Sequence, residues 1–351
     1  MSLPPLYAGW LAEAGIGLPE ETTATCDTCV MCPKADGTPP LGRWAFRPDV
    51  KCCTYTPALP NFLVGRILGE GDPGRASVED RIAAGVGVSP LGLVAPLQEH
   101  LKRQAPAAAG RSVALRCPHF VVEDGTCGIW RHRNGVCATW FCKHDRGQAG
   151  FALWSAVKEM LTAVEAALAR WCLLELDFPV GRLPAALARS GPPHPSAWGP
   201  HDLDGAAPAD PVLWGEWVGR EGALYRACAE RVEALSWEEV LQICGPDVGL
   251  FQRVVDAALA RLASDEVPAH VVLGAMELLG MGEEGAWALT YSPHDPVGLP
   301  ALLVSVLHYF DGRPLAEAAQ AIAEERGLRL DDALLRTLLD WQVLVPATPG
   351  S

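Results

Sequence analysis

The sequence lacks the features of an exported protein or a membrane protein. It does not open with a basic segment, an apolar stretch and a small-residue cleavage site, so we expect no signal peptide. The longest apolar helix candidate, residues 151 to 176, is too highly charged to cross a bilayer. Its charged residues are Lys158, Glu159, Glu165, Arg170 and Glu175. These absences predict a cytoplasmic protein with no membrane partner.

Basic residues and several catalytic motifs are also scarce. Lysine and arginine together number 28 against 42 aspartates and glutamates, which gives a net charge of -14 at pH 7. Because binding to nucleic acid needs a basic surface, we expect no nucleic-acid partner. The sequence contains no Walker loop, no His-Glu-x-x-His and no Cys-x3-Cys-x2-Cys of a typical radical S-adenosylmethionine enzyme. No reaction can therefore be assigned from these motifs.

Cysteines, by contrast, are concentrated near the start of the chain. Nine of the twelve lie within the first 142 residues. In a reducing cytoplasm, clustered cysteines are more often metal ligands or redox groups than disulfides. Crowded thiolates are costly unless a metal balances their charge. We therefore interpret residues 1 to 148 as an irregular, cysteine-rich, metal-binding domain.

The first cysteine group has the spacing Cys-x2-Cys-x2-Cys. It consists of Cys26, Cys29 and Cys32, and the adjacent pair Cys52-Cys53 follows about twenty residues later. Bacterial ferredoxins use this spacing for three ligands of an iron–sulfur cluster. Here Cys52 or Cys53 would supply the fourth thiolate from a distance. Four thiolates also satisfy tetrahedral zinc, so zinc is the alternative to an iron–sulfur cluster.

The second group is more widely spaced and consists of Cys117, Cys127, Cys137 and Cys142. The nine thiols suffice for two four-thiolate sites with one to spare, or for a single site with a redundant shell. Three histidines lie among them: His119, His132 and His144. Each could replace a thiolate as a ligand, but the interpretation that we favour is a solvated loop residue. Isolated cysteines in helical patterns are more typical of a core. We assign that role to Cys172, Cys228 and Cys244.

The cysteine-rich region resembles the YkgJ-like cysteine-cluster proteins, which are described as zinc- or iron-chelating domains. Cys26, Cys29 and Cys32 match the start of that family's pattern, and Cys117, Cys127 and Cys137 match its later positions. The match covers roughly residues 24 to 145. The departures from the pattern are the displaced pair Cys52-Cys53, Trp130 in place of a tyrosine and Asn134 in place of a proline. Because a flagellin lysine methylase carries a domain of this type, the resemblance leaves room for an enzymatic role.

The rest of the chain is predicted to be mainly α-helical. Residues 149 to 290 form a helical region, with helices at about 151–176, 247–263 and 268–280, a capping box at Ser236 and Glu239, and a Pro/Gly-rich loop at 192–211. In the first region, residues 60 to 68 predict a short helix, and Ser77 with Asp80 predicts the start of another.

Residues 297 to 347 predict a winged-helix-like bundle of three short helices and a strand. Pro300 and Pro314 suit helix starts, Gly327 suits a helix end, and Asp331 or Asp332 suits a cap. The segment is similar to PqqD-like winged helices, which recognise the peptide substrates of modifying enzymes, and this similarity implies a protein or peptide partner.

Two functions follow from these patterns. The first is an accessory, redox or structural metal protein with protein-interaction modules. The alternative is a metal-cluster enzyme that modifies a protein or peptide, for example by a methylase-like reaction.

Overall fold

The fold is mainly helical, as the sequence predicts. A computed structural model describes residues 3–34, 43–105, 108–188, 206, 209–264 and 266–347. The helices within these residues are α1 (Pro5–Glu13), α2 (Asn61–Glu70), α3 (Arg75–Ala83), α4 (Leu97–Arg103), α5 (Gly135–Thr139), α6 (Gly147–Glu175), α7 (Leu183–Ala188), α8 (Pro211–Trp214), α9 (Glu221–Glu233), α10 (Trp237–Cys244), α11 (Pro246–Ala263), α12 (Ala301–Val306), α13 (Leu315–Arg326) and α14 (Asp332–Asp340).

Short antiparallel strands complete the described part of the chain. In the first half, β1 and β2 flank β3 in a small sheet, and β4 pairs with β5. In the last eighty residues, β10 and β11 flank β6, while β7, β8 and β9 form a separate sheet. The bounds are β1 (Leu59–Pro60), β2 (Val88–Ser89), β3 (Gly92–Leu93), β4 (Phe120–Val121), β5 (Thr126–Cys127), β6 (His270–Leu273), β7 (Glu277–Gly282), β8 (Gly285–Leu289), β9 (Val297–Pro300), β10 (Asp311–Pro314) and β11 (Leu344–Pro346).

One hydrophobic core extends from Tyr7 to Val255. Helix α6 runs through it, because its apolar residues recur every three or four positions and face one side. Leu153, Val157 and Leu161 on that side are fully buried. This core crosses residue 148, where the sequence analysis places a domain boundary. The bounds of the three predicted regions, 1–148, 149–290 and 297–347, stay predictions.

Helices α2 and α9 cross closely within this core. A Cβ atom at Gly65 of α2 would lie only 1.9 Å from the backbone oxygen of Tyr225 on α9. Only glycine permits this approach of the two backbones. The helix predicted at 60–68 is confirmed as α2, which ends at Gly71 in the left-handed conformation with φ 69°.

The C-terminal unit, residues 266–347, has its own core. The core contains apolar side chains from β6, β8, β9 and the three helices α12 to α14. The predicted helix ends are confirmed: Asp331 caps α14, and α13 ends at Gly327 with φ 65°. Pro300 precedes the first residue of α12 rather than occupying it. The winged-helix character of this unit stays a prediction.

The helix predicted at 268–280 is wrong. Residues in that range form β6 and most of β7. The segment is short, contains adjacent valines and is interrupted by Gly274, and periodicity alone does not separate a buried strand from a helix in such a run. The Gly280-x-Gly282-x-x-Gly285 run covers the end of β7, the turn after it and the first residue of antiparallel β8. It therefore lacks the strand-to-helix context of a dinucleotide-binding loop.

Two further predictions concern the middle of the chain. Ser77 does not cap a helix: α3 already begins at Arg75, and the Ser77 hydroxyl donates to the oxygen of Gly74 at 2.6 Å. The capping box of Ser236 and Glu239 is confirmed. Most of the predicted loop at 192–211 lies outside the described residues. Within the described residues, no helix is long and apolar enough to cross a membrane.

A five-residue linking segment, residues 143–147, joins the two cores. Lys143 donates to the oxygen of His294 at 2.9 Å, and the Arg146 guanidinium lies 2.5 Å from a carboxylate oxygen of Asp340. At Gly147, φ is +50° and a Cβ atom would lie 2.6 Å from the Trp341 ring, so glycine is required there. The segment begins directly after Cys142.

Candidate metal centre

The first three cysteines lie on a tight turn. The amide of Cys32 donates to the oxygen of Cys29 at 3.0 Å. The thiols of Cys29 and Cys32 are hydrogen-bonded to each other, and both residues are buried. Lys34 donates to the oxygen of Thr28 at 2.8 Å and so closes the turn from outside. The Cys-x2-Cys-x2-Cys spacing therefore folds as a tight turn in which the thiols of Cys29 and Cys32 are in contact.

Lys51 connects this turn to the pair Cys52-Cys53. Its ammonium group donates to the oxygen of Cys26 at 3.0 Å. Lys51 itself has φ 47°, a left-handed conformation that is uncommon for lysine. The thiols of Cys52 and Cys53 are hydrogen-bonded to each other. The adjacent pair thus lies against the first loop although about twenty residues separate them.

A backbone bond joins the second cysteine group to the first. The amide of Cys117 donates to the oxygen of Cys53 at 2.8 Å. Cys127 follows on β5, directly opposite Phe120 on β4. The charge of Cys127 raises the pKa of Cys117, and the charge of Cys52 raises that of Cys127, so the hairpin lies near thiols of both groups.

Helix α5 carries the next thiol of the cluster. Asn134 caps it by accepting the amide of Cys137 at 3.0 Å, and the Asn134 amide donates to the oxygen of Ala58, also at 3.0 Å. The cap therefore fixes α5 and Cys137 against the strand that precedes α2. Cys142 follows shortly after the helix and is buried.

The electrostatics link the two groups into one thiol cluster. The pKa of Cys26 is raised to about 12, mainly by burial and further by the neighbouring thiolates of Cys52 and Cys29. Burial, followed by Cys29 and Cys52, likewise raises the pKa of Cys142 to about 12. The pKa of Cys137 is raised by burial and then by Cys117, Cys127 and Cys52. The charge of Cys52 thus raises the pKa of thiols in both sequence groups. The two groups therefore form a single thiol cluster.

Burial also raises the pKa of three further thiols of the cluster. It raises that of Cys32 and that of Cys117 to about 12. The pKa of Cys127 is raised as well, chiefly by burial. Buried thiols disfavour the charged form, so a metal would have to displace protons to bind them.

A buried arginine lies within this cluster. Arg133 is 4% exposed, and its guanidinium lies 3.4 Å from the centre of the Trp130 ring. Burial lowers its pKa, while the thiolates of Cys127 and Cys137, followed by those of Cys26 and Cys52, oppose that shift. An arginine stays charged in proteins, so Arg133 places a fixed positive charge near thiols of both groups. Sequence analysis did not assign it a role, although it is the arginine of the Cys-x-Ile-Trp-x-x-Arg run.

Each of the three nearby histidines has a polar neighbour outside the thiol cluster, although Nε2 of His119 and of His132 is buried without a hydrogen-bond partner among the described residues. His119 Nδ1 lies 2.7 Å from the Ser77 hydroxyl, and burial lowers the pKa of His119 to about 3. His132 is 3.2 Å from a carboxylate oxygen of Glu70. His144 Nδ1 lies 3.3 Å from the Tyr291 hydroxyl. All three are buried, so the prediction that they are solvated loop residues is wrong.

The cysteines assigned to the core lie apart from the cluster. Cys172 and Cys228 are fully buried between α6 and α9, where the Cys172 thiol lies 3.6 Å from the Cys228 oxygen. Cys244 is half-buried at the end of α10.

The thiol cluster is not arranged as a coordination sphere. Among the residues that the structure describes, no three histidine, cysteine, aspartate or glutamate side chains are positioned to hold a metal ion. The donors nevertheless fit zinc or iron, which both bind thiolates, and all nine cysteines are free of disulfides. Binding would require the thiols to exchange their mutual hydrogen bonds for metal bonds.

A buried carboxylate adjoins the cluster. Glu165 on α6 accepts the amide of Gly135, the first residue of α5, at 2.5 Å, and it also accepts the Tyr7 hydroxyl. Burial raises the pKa of Glu165 to about 7. Sequence analysis missed this residue. The signal was its position four residues after Leu161, on the apolar side of α6.

Comparison of the chain with protein-family models, with curated proteins and with solved structures gives no match. The resemblances to YkgJ-like proteins and to PqqD-like winged helices therefore stay predictions.

Proposed function

We propose that the protein is a metal-binding cysteine-cluster protein that holds an iron–sulfur cluster, with zinc as the alternative metal. The observation that carries the proposal is the position of Cys52, whose charge acts on thiols of both sequence groups. Nine free cysteines, four of which lie near enough to one buried arginine to affect its pKa, are poorly explained as core packing. A metal would balance the thiolate charge that burial otherwise disfavours.

The proposed ligands follow from the local geometry. Cys26, Cys29 and Cys32 share one turn, and Cys52 or Cys53 lies against it through Lys51. These four thiols would form the first site. The second group, Cys117, Cys127, Cys137 and Cys142, would form a second site or complete a larger one. Bound metal would then cross-link loops that have little regular structure of their own.

Metal analysis of anaerobically purified protein tests this proposal. We expect either iron with acid-labile sulfide and broad visible absorption, or zinc without that absorption. The double variant C52S/C53S should lose most of the metal, because it removes the thiols that link the two groups. The double variant C228S/C244S is the matched control and should keep it. Folded wild-type protein with neither metal above background would contradict the proposal.

We further propose an accessory, redox or structural role in which the C-terminal unit binds a protein or peptide partner. Residues 266 to 347 contain twelve carboxylates and four arginines, which disfavours nucleic acid. Strand β7 is exposed along its length, including Leu278 and Met281. Exposed apolar side chains on one strand favour a protein contact. Partner capture by wild-type protein but not by L278E/M281E, with equal metal content, would support this role.

One observation favours the alternative, an enzyme that modifies a protein or peptide. Glu165 is a buried acid–base group beside the helix that carries Cys137, and the sequence motifs had provided no such group. A captured partner that is modified by wild-type protein, but not by E165Q of equal metal content, would decide for the enzyme.

A further inference from the structure

A cleft of about 200 Å³ lies between the small sheet of β1 to β3 and helix α6. One wall is formed by the small sheet, including Leu59 and Leu93, and the other by the side of α6 that carries Ala166 and Ala169. The cleft exists because alanines occupy positions where larger side chains would fill the space against the sheet. Its walls are therefore mostly apolar.

Glu165 lines this cleft with an oxygen that has no partner. The residue is 6% exposed. Both hydrogen bonds that the carboxylate accepts, from Tyr7 and from Gly135, use Oε1. Among the described residues, nothing donates to Oε2. A nearly buried carboxylate with one unused oxygen needs a hydrogen-bond donor.

Two of the other polar side chains at the cleft are bonded to the backbone, and the two others that line it, Thr162 and Arg170, are exposed to solvent. Asn61 donates to the oxygen of Ala169 at 2.9 Å and to that of Pro90 at 3.2 Å. Ser89 donates to the oxygen of Gly92 at 3.2 Å. These bonds hold the walls in place without using Glu165. The acceptor that remains for a ligand on a buried side chain is therefore Glu165 Oε2.

We propose that this cleft binds a small aliphatic amine, with its ammonium group donating to Glu165 Oε2 and its alkyl chain between Leu93 and Ala166. An ammonium group supplies both a donor and the opposite charge, and charge-assisted hydrogen bonds are about twice as strong as neutral ones. A carboxylic acid would bring a second negative charge to Glu165. Arg170, the cation that lines the cleft, is exposed, so solvent and salt screen its charge far more than that of Glu165. The cleft is smaller than pockets for drug-sized molecules, so the ligand has only a few non-hydrogen atoms.

The proposed amine site is distinct from the proposed metal site but lies next to it. Glu165 accepts the amide that begins α5, and Cys137 is two residues further along that helix. An amine bound here would therefore lie beside the thiol cluster. Binding can be measured with the amine alone, so its failure would leave the metal proposal intact.

The test compares three probes of equal chain length by ligand-observed nuclear magnetic resonance: 1-aminobutane, 1-butanol and butanoate. We expect 1-aminobutane to bind about tenfold more tightly than the alcohol, which corresponds to one charge-assisted bond. Butanoate should not bind. Equal binding of amine and alcohol, or tighter binding of butanoate, would overturn the proposal.

Three variants locate the site. E165Q keeps an acceptor for Tyr7 and Gly135 but removes the charge, and it should weaken amine binding about tenfold. A166L fills the cleft without changing Glu165 and should abolish binding. A167L adds the same side chain at the next position of α6, which does not line the cleft, and should bind normally. Undiminished binding by either E165Q or A166L would refute the assignment.

Discussion

The substitution E165Q gives the sharpest test of the buried carboxyl group. Burial raises the pKa of Glu165 from 4.5 to about 7. Because the folded state keeps the proton more tightly than the unfolded state does, this group favours folding most at low pH. That contribution is fully present below about pH 4.5 and is lost as the pH rises through about 7.

The magnitude follows from the shift. One pKa unit corresponds to about 1.4 kcal/mol, so ionising Glu165 should cost about 3 kcal/mol of folding free energy above its folded pKa. Glutamine carries no charge at any of these pH values. The free energy of unfolding of E165Q, minus that of wild type, should therefore rise by about 3 kcal/mol between about pH 4.5 and about pH 8.

Urea denaturation at several pH values measures this difference. The thiols titrate in both proteins, so their contribution cancels when the two are compared at the same metal content. Circular dichroism of both proteins should first show the same helix content. A difference that stayed constant across the pH range would refute the reasoning, since it would mean that Glu165 has an ordinary pKa in the folded protein.

Three further predictions concern the thiol cluster. C127S and C137S should each lower metal content and solubility, whereas C228S should leave metal content unchanged; elemental analysis giving the same result for all three would contradict the division into ligands and core residues. N134A removes the cap of α5 and should cost about 1 kcal/mol of stability with a loss of metal, while D331A removes the cap of α14 at a similar cost without that loss. Metal affinity should fall as pH falls, because protons compete for thiols whose pKa burial has raised. A titration with a competing chelator that showed no pH dependence would oppose thiolate ligation.

The elements predicted well from the sequence are those with strong local signals. Helix α6 has a long apolar repeat, and the helix after Ser236 has a complete capping box. Such signals depend on residues a few positions apart, so tertiary contacts seldom change them. The run at 268–280 had no such signal, and its pairing with residues more than forty positions away made it β-structure.

The site was only partly predictable for the same reason. Cysteine spacing indicated which thiols belong to each group. It did not indicate that Cys52 would lie near enough to both groups to raise the pKa of their thiols. The roles of Arg133 and Glu165 depend on burial and on partners distant in sequence. The local sequence marks Arg133 only as the arginine of the Cys-x-Ile-Trp-x-x-Arg run and Glu165 only as an acidic residue on the apolar side of α6. Neither signal indicates what the residue contacts.

The linking segment after Cys142 has a consequence for how the protein unfolds. Lys143 and Asp295 are buried together, with 3.6 Å between their charged groups, and Arg146 bonds to the buried Asp340. If one core unfolded alone, Asp295 or Asp340 would lose its cationic partner, and breaking a buried pair is strongly unfavourable. The two cores should therefore melt together in one cooperative transition, although each has its own set of apolar side chains.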